Sequence, residues 1–171
     1  MTIKVQNENG TIEGANSYVD AAAVRAFWLD RGVDLSAKTD EELSVAAVRA
    51  TDYLDAKYRW TGYQLYRLQG TQWPRGGVTS FLRGLPPALV SAACMLAQRA
   101  LTKPLMPDPT FDASGQRIAE KLTEVGPIKT QVKFSDPTGV KSMTPEYPEV
   151  TLMLQAAGLV ASGNSGEIGR G

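Results

Sequence analysis

Histidine is absent from the 171 residues, and cysteine occurs once. Without an imidazole the chain loses the usual general base, the commonest metal ligand and the Ser-His and Cys-His nucleophile pairs. Net charge is missing too, because 18 Lys and Arg stand against 18 Asp and Glu. No window approaches the roughly 18 consecutive apolar residues of a membrane span. The polar opening MTIKVQNENG has no apolar stretch of the signal-peptide kind, so synthesis in the cytoplasm and no membrane partner are expected. Cys94 sits alone in the alanine-rich pattern SAACMLAQRA, which excludes a disulfide framework and reads as a small buried thiol. A phosphate-binding glycine loop is also lacking: Gly76-Gly77 follows Trp-Pro-Arg, without the lysine and hydroxyl of a P-loop. Asp40, Glu41 and Glu42 cluster where a helix begins, and there they complement the helix dipole without a catalytic role. A chain that is not an enzyme, with no cofactor and no metal, is expected.

What is present is mostly helical pattern. Ile3 and Val5 alternate with polar residues before Asn9-Gly10 and Thr11-Ile12, which predicts an opening hairpin. Ser17 begins an S-x-x-D signal for a helix through about Arg31, with Val24, Phe27 and Trp28 on one face and Gly32 as the stop. Thr39 to Glu42 spells a T-x-x-E capping box ahead of Leu43, Ala46, Ala47, Ala50, Tyr53 and Leu54, a 3.6-residue period. From Arg59 to Pro86 no period holds, and glycines 62, 70, 76, 77 and 84 with Pro74 predict a long, shaped loop of the kind that is functional or partner-bound. Pro86-Pro87 opens a third helix with Leu89, Ala92, Ala93, Leu96, Ala97 and Ala100 on its apolar face. Residues 117–125 and 128–134 read as the arms of a hairpin, and 149–159 as a short helix. The expected fold is mainly α: a small helical bundle with a minor β-hairpin element at about 116–135 and extended terminal segments. One domain over residues 1–160 carries the inserted loop 59–86, and 161–171 is a flexible Gly/Ser-rich tail.

Charge is unevenly spread along this neutral chain. Residues 1–56 hold five cations and ten carboxylates, whereas 57–83 hold Lys57, Arg59, Arg67, Arg75 and Arg83, six aromatics and no carboxylate. Such a segment could place cations on phosphates while Tyr63, Tyr66 or Trp73 stack on bases. It could equally set the basic part of one copy against the acidic part of the next, a heterologous contact that closes into a ring when the rotation divides a full turn. The zero total charge favours protein contact, since aromatics and arginine are enriched at interfaces. Trp60 and Trp73, with Pro74, read as anchors that pin the loop to the helical core. Arg75, on stiff backbone after Trp-Pro, is expected to project its planar fork toward a carboxylate of a neighbouring copy.

The order ANSYVDAAAVRAFWLDRG, AAVRATDYLDAKYRWTG, QGTQWPRGG, LPPALVSAACMLAQRAL, VGPIKTQVKFS and YPEVTLML resembles small proteins encoded among the head genes of tailed bacteriophages. These look like head-completion or head–tail connector adaptors and are often labelled DnaT-like single-stranded-DNA-binding proteins. The likeness spans roughly residues 14–157, with YLDAKYRWTG and QWPRGG its most specific pieces. Tyr53, Leu54, Tyr58, Trp60, Gly62, Trp73, Pro74 and Arg75 match the recurrent pattern, to which no catalytic role attaches. The resemblance implies a structural virion protein, made in the bacterial cytoplasm and assembled as a ring of about twelve copies beneath the portal. Its partners would be further copies of itself, the portal protein, tail-completion or tail proteins, and the double-stranded genome passing through. The alternative it carries is a single-stranded-DNA-binding replication accessory protein. On the connector reading, the tail 161–171 docks on the portal, with Ile168 as apolar anchor and Glu167 and Arg170 as polar flanks.

Overall fold

The computed structural model describes residues 2–79, 84–107, 118–123, 130–134 and 145–160. The fold is mainly α, as the periodicity predicts. Its longest helix, α2 (Asp40–Lys57), starts at the capping box: the Thr39 hydroxyl accepts from the Glu42 N–H while the Glu42 carboxylate accepts from the Thr39 N–H. Three carboxylates in the first turn and Lys57 in the last complement the dipole. The face of α2 bearing Leu43, Ala46, Ala47, Ala50 and Leu54 is buried. It packs on α3 (Pro87–Ala100), whose Leu89, Ala92, Ala93, Leu96 and Ala97 are buried in turn. Small alanines on both helices let the two backbones approach, and each leucine removed from water contributes about 1.5–3 kcal/mol. Between them these two helices form the centre of the core.

Helix α1 (Ala21–Leu29) lies against both α2 and α3, and the Trp28 indole N–H donates to the Cys94 carbonyl at 2.9 Å. The cap of α1 is Asp20, whose carboxylate accepts from the Ala23 N–H at 2.7 Å. It is not Ser17, whose hydroxyl donates to the Val19 carbonyl at 2.7 Å and so is lost to the helix. Gly32 ends the segment as expected, its N–H and that of Val33 returning to the carbonyls of Leu29 and Trp28. Helix α4 (Pro148–Ala156) packs on α3 through Val150 and Leu154. Cys94 is free and buried, and desolvation pushes its thiol up to about 12.

The predicted opening hairpin does not form. Val5 makes only an isolated parallel bridge to Ser17, because side chains take the backbone donors a ladder would use. Asn7 Oδ1 accepts from the N–H groups of Asn9 and Thr11, and Gln6 Oε1 accepts from those of Asn7 and Ile12. The result is a turn built on an asparagine side chain.

The chain divides into two compact units, Met1–Leu105 with Glu146–Gly171 and Met106–Pro145. Within the second unit, β3 (Ile118–Thr123) and β4 (Thr130–Phe134) pair antiparallel, Thr123 opposite Thr130 and Ile118 opposite Phe134. This is the hairpin predicted from the alternating pattern. The tail with Glu167, Ile168 and Arg170 lies outside the described residues, as does Arg83.

Candidate functional site

The segment from Arg59 to Val78 leaves the C-terminal end of α2 and forms an ordered loop with a minimal two-residue ladder. Its arms, β1 (Tyr63–Gln64) and β2 (Arg75–Gly76), pair antiparallel. At the root stands Trp73, fully buried, joined to Pro74 by a cis peptide. Its ring meets that of Trp60 edge-on at 5.9 Å, Trp60 meets Tyr58 at 5.8 Å, and Tyr58 meets Tyr53 of α2 at 6.4 Å. This run of aromatic contacts joins the loop to the core. Trp60 also bridges to Val160, and the Thr61 N–H donates to the Leu159 carbonyl at 3.0 Å, so the segment after α4 holds the loop's first arm.

Polar side chains fix the rest. Asp55, in the last turn of α2, accepts from the Tyr18 hydroxyl and from the Gln72 N–H. The same Tyr18 oxygen accepts from the Trp73 N–H at 3.2 Å. Burial pushes the Asp55 carboxyl up to about 6, against the pull of its two donors, and pushes the Tyr18 phenol well above its usual value. Gln69 is buried within the loop: its Oε1 accepts from the Tyr66 N–H, and its Nε2 donates to the carbonyls of Thr71 and Pro74. Gln6 reaches in from the N-terminal segment to donate to the Gln69 carbonyl at 2.7 Å. Gly70, at φ +82°, lies so close to that segment that a Cβ would stand 2.4 Å from the Ala15 carbonyl oxygen. Only glycine fits there.

The four described cations of the basic segment separate into different roles. The Arg75 guanidinium is turned inward, donating to the carbonyls of Thr61 and Gly62 at 2.7 Å each and to Gln72 Oε1 at 2.9 Å. It ties the two arms together through carbonyls of its own chain, where the Trp-Pro context suggests a fork directed at a neighbour. Lys57 stands 3.6 Å from Glu146. Arg59 and Arg67 are exposed and make no ion pair among the described residues. Part of the sequence asymmetry is thus satisfied inside the chain.

From its first arm onward the loop presents large side chains to solvent: Tyr63 is 65%, Leu65 42%, Tyr66 52% and Leu68 65% exposed. Four bulky groups on six residues, with Arg67 among them in the sequence, make a patch of the kind that marks an interaction site. The basic and aromatic content signals this patch in the sequence. The leucines do not, since nothing in YQLYRLQ tells an outward leucine from an inward one. The framing residues Tyr18, Gln6 and Gln69 lack a sequence signal as well, because their partners are 55, 63 and 65 positions away or are backbone atoms.

A family model described as "Putative DnaT-like ssDNA binding protein" matches residues 1–171. The chain belongs to this family. No curated protein matches the chain, and no solved structure does. The match covers both the helical core and the loop, so the patch is part of what the family model spans. Among the described residues no group of His, Cys, Asp and Glu could hold a metal ion, and no helix is long and apolar enough to cross a membrane.

Proposed function

We propose that this loop is a contact surface for single-stranded DNA, with Tyr63 and Tyr66 stacking on bases and Arg59 and Arg67 on phosphates. The observation that carries this reading is the exposure of two tyrosines and of two arginines without an ion pair among the described residues, on a loop fixed by buried polar bonds. Stacking on an aromatic ring contributes about 1–3 kcal/mol per base and tolerates any sequence. A fixed frame spares the ordering cost that a mobile loop would incur on binding. The family description supports the same ligand class. The reading assigns the chain no bond-making chemistry and no cofactor.

Fluorescence anisotropy with a labelled oligothymidine of about 20 nucleotides tests it. Tyr63→Ala and Tyr66→Ala should each weaken binding by about fivefold or more. Two neutralised phosphates predict a log–log salt slope of about −1.4. Absence of binding by the wild-type chain at low salt overturns the reading.

A second reading is favoured by Leu65 and Leu68. Aliphatic side chains have no π face for a base, yet beside tyrosine and arginine they suit the apolar centre of a protein interface. On this reading the chain is a head–tail adaptor of a tailed bacteriophage. It would form a ring between the portal and tail proteins and conduct the double-stranded genome. The mass and symmetry of particles containing the chain test it: a closed ring around a channel supports the adaptor, and a monomer in every assembly state sinks it.

A further inference from the structure

Beside the tip lies a cleft of about 260 Å³ lined by Gly10, Thr11, Glu13, Tyr66, Leu68 and Gln69. It is formed by two turns that are fastened to each other. The Gly14 N–H donates to the Leu68 carbonyl at 3.1 Å, and Gln6 Nε2 bridges the Ile12 and Gln69 carbonyls. Gly10, at φ +72°, lets the N-terminal turn press against the loop: a Cβ there would stand 2.9 Å from Pro74 Cγ and 3.2 Å from Tyr66 Cδ2. The volume is just under the ~300–1,000 Å³ of pockets for drug-sized ligands, a scale suited to one planar base.

Glu13 is the feature that needs explaining. It is exposed and pairs with no cation among the described residues. On a surface meant for phosphates a lone carboxylate is unfavourable, unless it reads something that donates. Carboxylates accept from the amino edges of bases, and single-stranded bases expose their Watson–Crick edges. Guanine alone places two donors side by side there, N1–H and the N2 amino group, which match the two oxygens of one carboxylate. Thymine sets its single donor between two carbonyls, which a carboxylate repels. Adenine and cytosine each offer one amino donor beside a ring acceptor. Thr11 completes the match: its oxygen accepts from Asn7 Nδ2 at 2.6 Å, which leaves its own hydrogen to donate to guanine O6.

We propose that this cleft is a subsite for one guanine of the bound strand, stacked on Tyr66 and held by the Glu13 carboxylate. The inference rests on the single-strand reading and adds to it a base preference. It is tested with the full chain and thymine oligonucleotides of about 20 residues in which every fourth base is guanine, adenine, cytosine or thymine. The guanine series should bind about tenfold more tightly than the all-thymine strand, in keeping with the discrimination of a bidentate base contact. Glu13→Gln should bring that ratio to within about twofold, whereas Tyr63→Ala, outside the cleft, should weaken all strands and preserve the ratio. Equal binding of the four series by the wild type overturns the guanine subsite and leaves the single-strand reading standing. A ratio kept by Glu13→Gln also overturns it. Failure to bind any strand removes both.

Discussion

Where α2 meets α3, the buried residues are mostly leucines and alanines, from Leu43 to Leu54 on one side and Leu89 to Ala97 on the other. The loop from Arg59 to Val78 is fixed to the same unit by a different class of interaction. Besides the two tryptophans, many of its constraints are bonds from Asp55, Tyr18, Gln69, Gln6 and Arg75 to backbone groups. Apolar contact is non-directional and fixes which faces meet. Hydrogen bonds fix positions atom by atom, which suits a loop that must hold four large side chains outward against their tendency to bury. The apolar seam therefore supplies stability, and the polar frame supplies presentation.

Removing a core leucine should have the largest effect and should be global. Leu96 is fully buried on α3, and Leu96→Ala is expected to cost about 2–5 kcal/mol through lost transfer energy and the cavity left behind. Urea unfolding followed by far-UV circular dichroism should show a lowered midpoint with an unchanged slope. A loss much below 1 kcal/mol would mean that the seam is not where the stability resides.

A smaller effect, with a distinctive pH signature, is expected at the root of the loop. Burial raises the Asp55 carboxyl to about 6 from the ordinary value of about 3.9. The charged and titratable groups around it are Tyr18, whose hydroxyl donates to it, Asp52, which raises it further, and Arg75, which lowers it. The folded chain therefore holds this proton more tightly than the unfolded chain does. The resulting stabilisation is complete below about pH 4 and is lost as pH rises through about 6. Comparing Asp55→Asn with the wild type at pH 4 and at pH 7 should isolate this contribution as a difference of about 2 kcal/mol. Hydrogen exchange at the Gln72 and Trp73 amides, which the pair Asp55 and Tyr18 accept from, should slow toward low pH beyond its intrinsic dependence. Equal pH slopes for the two proteins would show that the carboxyl is not buried as the geometry requires.

These differences in mechanism explain what the sequence discloses. The helical seam repeats at 3.6 residues, so Leu43, Ala46, Ala50 and Leu54 announce one another across a few positions, and the β3–β4 hairpin is likewise local. The exposed arginines and tyrosines of the tip are visible by composition. The frame is not, since a glutamine that bonds to backbone carbonyls has no characteristic neighbours, and Tyr18 reads as one more residue before a helix. Ser17 has the right chemistry for a helix cap, but a nearer backbone carbonyl captures its hydroxyl, and the Arg75 guanidinium is likewise bonded to carbonyls of its own chain. The opening hairpin fails because Gln6 and Asn7 intercept the donors of a ladder.

The capping box at α2 is the exception that sharpens the contrast, because it is polar and yet legible. Thr39 and Glu42 are three residues apart and satisfy each other's N–H groups, at 3.2 and 2.8 Å, so the whole device fits in one turn. The bond from the Thr39 N–H, with that from Lys38, holds the Glu42 carboxyl below its usual value, and this contribution is present above the unfolded pKa and lost as pH falls. Thr39→Ala removes the acceptor for the Glu42 N–H and is expected to cost about 1 kcal/mol, the smallest of these effects. It acts at the end of α2 remote from the loop root. It should therefore lower global stability while leaving exchange at Gln72 and Trp73, measured relative to that new global limit, and the affinity of the tip for oligonucleotides unchanged. A change in tip affinity would show that the helix end and the loop are coupled through α2. The division between a stabilising seam and a presenting frame would then have to be redrawn.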